Sequence, residues 1–324
     1  MRQVRYLSPD GHPDVPRSGV VDGGTIRGGV AGGLPEPVPL DEARLLPPIA
    51  TPPSVRDFMA FEQHVDGMGL LVGVDPTVPD VWYRQPLFYF SNPAGLLGPH
   101  DDVPVPPGCA VFDFELEVAA VIGPLPGRAD LADLTLAEAA QAIAGYVLMN
   151  DWSARDLQAA EMTGPLGPCK GKDSAITLGP WLVSADELPG LAHGESGVKL
   201  SAAVNGEPFG QASLDSMAWT FAELAAYASR GTTLRPGDVL GSGTCGDGCL
   251  AERWGRQGRD AIAPLRPGDV VTLDGGVLGR TISRVVPGPP VRQPLAPRVA
   301  GQPARTGEAR PGEARTGEVS TGRS

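Results

Sequence analysis

The chain has 324 residues and a formal net charge of −12, and no apolar run approaches the ~18–20 residues that a membrane helix needs. Its 44 glycines and 35 prolines make up about a quarter of it, which excludes coiled coils, helical bundles and helical repeats, because both residues break element interiors. The negative charge argues against duplex nucleic acid or an anionic membrane as partner and leaves a turn-rich, strand-rich globular protein.

Residues 1–50 read as short strands and glycine turns (Gly23-Gly24, Gly28-Gly29, Gly32-Gly33) that end in a proline cluster at Pro47, Pro48, Pro52 and Pro53, a small N-terminal β unit with a linker. Met1–Gly11 has no apolar stretch, so no secretory leader is expected. The glycine pairs do not make the G-x-G-x-x-G of a dinucleotide fold. In R-D-F-M-A-F-E-Q-H, residues 56–64, His64 follows an ordered-looking segment with Asp57 seven residues before it. A lone histidine there is either structural or functional.

F-D-F-E-L-E-V-A-A-V-I-G, residues 112–123, reads as a strand with Phe112, Phe114, Leu116 and Val118 on one face. Glu115 and Glu117 share the other, about 6.8 Å apart from two rises of ~3.4 Å. That face turns apolar at Ala119 and Val121, like a strand covered on both sides. Carboxylates entering such a layer need counter-charge, which a divalent ion supplies; a wet amphipathic face is the alternative. Thr135-x-x-Glu138 is a capping box that predicts a helix over 137–143. In G-Y-V-L-M-N-D-W-S-A-R-D-L-Q, residues 145–158, an apolar strand ends at Asn150-Asp151 and a helix follows. Asp151, Arg155 and Gln158 sit at i, i+4 and i+7. Either Asp151 caps that helix and pairs with Arg155, or it is a third carboxylate at a strand end.

P-L-G-P-C-K-G-K-D-S, residues 165–174, is a Gly/Pro loop carrying Lys170 and Lys172, without the P-loop pattern; its lysines are either solvated or placed to stabilise an oxyanion. Residues 218–229 have helical apolar spacing. L-R-P-G-D-V occurs at 234–239 and again at 265–270, a turn that feeds a strand each time. C-G-D-G-C, within G-S-G-T-C-G-D-G-C-L-A-E-R-W (241–254), lacks a second Cys or His pair at zinc-finger spacing, so Cys109, Cys169, Cys245 and Cys249 are expected as free thiols in a reducing cytoplasm. Residues 287–324 carry six Arg and three Glu in low-complexity sequence and are expected to be a disordered tail. Strands outnumber helices, so the class is α+β, mainly β.

Taken together, residues 50–286 resemble the fumarylacetoacetate hydrolase family. The likeness is carried by E-L-E in an apolar strand, N-D-W-S-A-R-D-L-Q, the L-G-P…G-K loop and the G-S-G-T…E turn, in that order. It implies a mixed β-sandwich roll for a catalytic domain over 51–286, in a cytoplasmic homodimer. It implies metal ligation by Asp57, Glu115, Glu117 and Asp151, hard oxygens that select Mg²⁺, with Ca²⁺ or Mn²⁺ possible, over zinc or copper. It also implies a water-activating pair His64 and Glu252, oxyanion and positioning groups Arg155, Gln158 and Lys172, and a substrate contact at Thr244.

Met59 and Met162 stand where substrate-binding tyrosines are usual, Gly73 where an arginine is usual, and Ile176 replaces a threonine. Each change removes a polar handle, which implies a more apolar pocket and points away from fumarylacetoacetate itself. The implied reaction is hydrolytic C–C cleavage of a 1,3-dicarbonyl or acylpyruvate-like substrate, with an enolate as leaving group. Decarboxylation, tautomerisation or isomerisation of a 2-oxo acid is the runner-up, and a non-catalytic binding protein the third reading.

Overall fold

The computed structural model describes residues 1–8, 14–28, 36–71, 78–164 and 166–292. Among them the chain is α+β and mainly β, built on two large sheets with two further two-stranded pairs. The larger runs, in spatial order, through Val38–Pro39, Thr25–Gly28, Arg17–Asp22, Arg2–Leu7, Leu182–Ser184, Ile143–Asp151, Leu116–Ile122, Val239–Gly241, Val55–Phe58 and Phe88–Ser91. The smaller has five strands: Glu207–Ser213, Lys199–Val204, Val270–Asp274, Arg280–Val286 and Val103–Pro104.

The strand Leu116–Ile122 is central. It pairs antiparallel with Ile143–Asp151 on one side and with Val239–Gly241 on the other, and the latter runs parallel to Val55–Phe58. As the near-continuous hydrophobicity predicts, both of its faces are covered. Leu116, Val118, Ala120 and Ile122 join Phe112, Phe114, Tyr146 and Phe221 and the inward residues Leu200 and Leu273 of the five-stranded sheet. Ala119 and Val121 pack instead with Val55, Val147, Met149, Ile176 and Val239. The strand is not continuous, however. Phe112–Asp113 pairs with Ser153–Ala154, and the ladder of the large sheet resumes only at Leu116, so Phe114 and Glu115 lie in a break.

Both L-R-P-G-D-V segments fold alike. Gly237 and Gly268 take φ of +94° and +105°. Asp238 and Asp269 accept the N–H of Arg235 and Arg266 at 2.8 and 2.7 Å, closing each turn before its strand. Thr135 and Glu138 form the expected capping box on the helix Leu136–Gln141, and the helix predicted within 218–229 is Phe221–Ala228.

Residues 1–50 carry their own small core of Val4, Tyr6, Ile26, Val38 and Leu45. They are nonetheless not set apart, because Arg2 and Gln3 pair with Val183 and Leu182 in the large sheet, and Met1–Pro289 is one compact unit. Of the predicted tail, 287–292 have no regular structure, and 293–324 lie outside the described residues. No helix among the described residues is long and apolar enough to cross a membrane.

Candidate active site

Four carboxylates converge where the central strands end. Asp57 stands on Val55–Phe58, Glu117 on Leu116–Ile122 with Glu115 in the break before it, and Asp151 is the last residue of Ile143–Asp151. One carboxylate oxygen from each lies within 4.8 Å of the others, and none of the four residues is more than 3% exposed. Despite the break at Phe114–Glu115, the Glu115 and Glu117 carboxylates stay together. Room for Asp57 comes from Gly241, its register partner on the next strand: a Cβ there would lie 2.3 Å from Asp57 Oδ1. The Gly243 N–H donates to the same oxygen at 3.2 Å.

Two buried cations and a phenol face this cluster. Lys172 donates to Asp151 Oδ2 at 2.6 Å and, still more closely, to Glu115. Arg155 spans Asp113 and Glu115, at 2.9 Å from Nε and 2.7 Å from Nη2 respectively. The hydroxyl of Tyr89, the register partner of Asp57, lies 3.0 Å from Asp57 Oδ2 and closer still to Asp151 Oδ2, with one proton to donate between the two. Of the two readings open for Asp151, the strand-end carboxylate is the one the structure has, and its cationic partner is Lys172 rather than Arg155. Nor does Asp151 cap the helix Arg155–Glu161; it belongs to the strand, and the residue before the helix, Ala154, makes no side-chain cap.

The electrostatics separate the four acids. Burial works against ionising Glu115, but Lys172 and Arg155 outweigh it and hold its carboxyl below the usual range. Burial and then Asp151 push Asp57 up to about 7. Burial, Asp57 and Glu115 push Glu117 well above its ordinary value, and Asp151 is also raised, first by burial. Glu117 Oε2 and Asp151 Oδ1 are buried with no hydrogen-bond partner among the described residues. Hard oxygens in repulsive proximity, two of them unsatisfied, form a donor set suited to a divalent cation of the Mg²⁺, Mn²⁺ or Ca²⁺ kind.

The predicted dyad is formed. His64 lies in the first turn of the helix Glu62–Leu71 and Glu252 in the first turn of Leu250–Gln257. Where these helices pack, a Cβ at Gly67 would already lie 3.1 Å from Glu252 Cγ. His64 Nδ1 is 2.8 Å from Glu252 Oε1, and both residues are buried. Glu252 Oε2 accepts from the Asp247 N–H at 2.8 Å and from Arg256 at 3.0 Å.

Other predicted residues are placed less directly. Gln158 accepts from Arg155 at 3.1 Å, and Thr244 donates to Glu117 at 3.4 Å, so both touch the charged cluster itself. Met59 is half-buried two residues beyond Asp57, while Met162 is 56% exposed at the end of the helix Arg155–Glu161. Gly73 lies outside the described residues.

Three contributors escape the sequence reading. Asp113 accepts from Leu250 and Ala251 at 2.8 and 3.1 Å, so one buried carboxylate ties the Glu252 helix to Arg155. Its place two residues before Glu115 on the same predicted face was the available signal. Tyr89 had none, since only sheet register brings it to Asp57. Glu161 accepts the successive N–H groups of Cys169, Lys170 and Gly171 at 2.7, 2.7 and 3.0 Å, and so moors the turn that delivers Lys172.

Residues 54–286 match the family described as fumarylacetoacetate (FAA) hydrolase C-terminal. The chain is similar to the fumarylacetoacetase of Arabidopsis thaliana, 32% identical over 294 residues that cover 72% of this chain and 69% of that protein. It spans between 55% and 69% of the length of the plant and mammalian fumarylacetoacetases it matches. Its backbone is similar to solved 5-carboxymethyl-2-hydroxymuconate delta-isomerase from Mycobacterium smegmatis, with 25% identity, a TM-score of 0.66, and coverage of 89% of this chain and 100% of that one. It also resembles, in fold, maleylpyruvate hydrolase from Sphingobium sp. SYK-6 in complex with manganese(II) and pyruvate, at 20% identity, a TM-score of 0.64 and coverage of 89% and 100%.

Proposed function

Since the chain belongs to the fumarylacetoacetate hydrolase family, we propose that it is a divalent-metal-dependent hydrolase cleaving a C–C bond in a 1,3-dicarbonyl or acylpyruvate-like small molecule. The observation that carries this is the four-carboxylate cluster with two unsatisfied oxygens beside a buried His–Glu pair. When bound, the ion, with Mg²⁺ the first candidate, supplies a Lewis acid for the dicarbonyl oxygens.

The remaining work falls to the chain's own side chains. Glu252, held by the Asp247 N–H and Arg256, accepts a hydrogen bond from the Nδ1–H of His64. That fixes the tautomer and leaves Nε2 as the base that removes a proton from water, a contribution of about 10²–10⁴ in rate. Lys172 uses two ammonium donors on Glu115 and Asp151 and has a third for the developing alkoxide, where one donor is worth about 3 kcal/mol. Gln158 steadies the Arg155 guanidinium beside it. The reading includes a homodimer, which analytical ultracentrifugation tests, and a cytoplasmic location, to which the free cysteines are suited.

Isomerisation or decarboxylation through the same cluster is the competing reading, and the isomerase among the similar structures is compatible with it. The His64–Glu252 pair favours hydrolysis, because those reactions need no activated water. Turnover of acylpyruvates in H₂¹⁸O with Mg²⁺, followed by mass spectrometry, decides. Label in the released acid is expected; CO₂ without label, or a product of unchanged mass, would replace hydrolysis by the alternative.

A further inference from the structure

Cys249 immediately precedes the helix that carries Glu252. Its sulfur is 3.9 Å from His64 Nδ1, and Glu252 Oε1 is 2.8 Å from the same nitrogen. One donor atom from each of the three residues lies within 4.8 Å of the others, and all three residues are buried. This set differs in kind from the neighbouring carboxylates: one imidazole nitrogen, one thiol sulfur and one carboxylate oxygen. Mg²⁺ has little affinity for nitrogen and sulfur, whereas Zn²⁺ takes all three. A tetrahedral zinc with Zn–N of about 2.0–2.1 Å and Zn–S of about 2.3 Å sets N···S at about 3.6 Å, within a few tenths of the 3.9 Å present, and N···O at about 3.4 Å, so the 2.8 Å His64–Glu252 hydrogen bond would open by about 0.6 Å to admit the ion.

We propose that His64, Cys249 and Glu252 form a second cation site, selective for a thiophilic divalent ion of the zinc class and separate from the carboxylate cluster. Cys249 also lines a cavity of about 680 Å³ together with Asp247, Phe209, Arg253 and Arg256. Arg256 and Arg155 oppose a cation there, but Arg256 is bonded to Glu252 Oε2 and leaves Oε1 to the ion, and Arg155 is paired with Asp113 and Glu115, whose negative charge also lies close to Cys249.

Binding would release the thiol proton and shift the imidazole proton from Nδ1 to Nε2, so the ring stays neutral but its Nε2 lone pair is taken. The ion would thereby switch off the base. That consequence rests on the function proposed above; the site itself does not.

The test is a Cd²⁺ titration followed through the ultraviolet sulfur-to-cadmium charge-transfer band, in the full chain with the exposed Cys169 and half-buried Cys109 changed to alanine. A saturable band is expected, lost on adding Cys249→Ser and weakened at least tenfold in apparent affinity by Glu252→Gln. A band that survives Cys249→Ser, or no band at all, overturns the site. Anomalous diffraction from Cd²⁺-soaked crystals of the unaltered chain tests the same site without substitution: a peak among the three side chains supports it, and a peak at the carboxylate cluster alone refutes it. Zn²⁺ should then abolish turnover of the Mg²⁺-loaded enzyme, with Cys249→Ser resisting at least tenfold more Zn²⁺. Binding at the trio with undiminished turnover would leave the site standing and refute His64 as the base.

Discussion

Metal affinity should fall steeply with acidification, because the ion and protons compete for the same oxygens. Asp57 has its carboxyl at about 7, against an ordinary value of 3.8, when no cation is bound. Its ionised fraction therefore drops from about three-quarters near pH 7.5 to about 3% near pH 5.5, a loss of about 25-fold in affinity or about 2 kcal/mol. Glu117, raised by burial, Asp57 and Glu115, adds to the slope in the same direction, up to about one further decade per pH unit. Glu115 adds nothing, since Lys172 and Arg155 keep it ionised throughout this range despite its burial. Calorimetric titration of Mg²⁺ in buffers of different ionisation enthalpy should show proton release at neutral pH. The stability linkage has a definite sign. A carboxyl raised in the metal-free fold stabilises that fold below 3.8, and the contribution is lost as pH rises to about 7. The increase in Tm on adding Mg²⁺ should therefore grow with pH across that window. Affinity independent of pH, with no proton release, would refute the crowded-carboxylate account of the site.

Three further perturbations separate the parts of the site. Gly241→Ala places a methyl 2.3 Å from Asp57 Oδ1 and 2.7 Å from Met149 Cε, so Mg²⁺ affinity should drop at least about tenfold at a stability cost of about 1–3 kcal/mol, read by calorimetry and thermal melts; unchanged affinity would sink the claim that this glycine makes room for a ligand. His64→Gln should lower turnover by about 10²–10⁴ while leaving Mg²⁺ affinity nearly intact, since the imidazole lies outside the carboxylate cluster; a parallel loss of metal binding contradicts that division of labour. Glu161→Ala vacates a cradle of three N–H groups and should slow turnover about tenfold or more by loosening Lys172. Formate should restore part of that loss by refilling the cradle where chloride does not, and failure of formate would mean that Glu161 has no positioning role.

Much of this was legible along the chain because it depends on short-range pattern. Near-continuous hydrophobicity through 116–122 announced a strand covered on both faces, and a carboxylate in such a layer signals unusual counter-charge. The two Pro-Gly-Asp turns and the Thr135–Glu138 cap are local hydrogen-bonded units, so their residues suffice to specify them. The four hard-oxygen side chains and the His64–Glu252 pair were legible only as what the family resemblance implied, since residue spacing alone left His64 and Asp151 open between structural and functional roles.

What the linear order could not decide was which charges meet. Spacing left Asp151 open between pairing with Arg155 and ending a strand; it belongs to the strand ladder, and Lys172, twenty-one residues on, is its partner. Tyr89 reaches Asp57 only through antiparallel register, and Cys249 approaches His64, 185 residues away in the chain, only where two helices pack together. The sequence by itself determined the alternation of buried and polar faces and the turns, because those follow from bonded neighbours and local hydrogen bonds. Tertiary structure alone decided the charge pairing, because burial in a low dielectric makes each carboxylate's state depend on atoms that chain topology, rather than sequence distance, brings within a few ångströms.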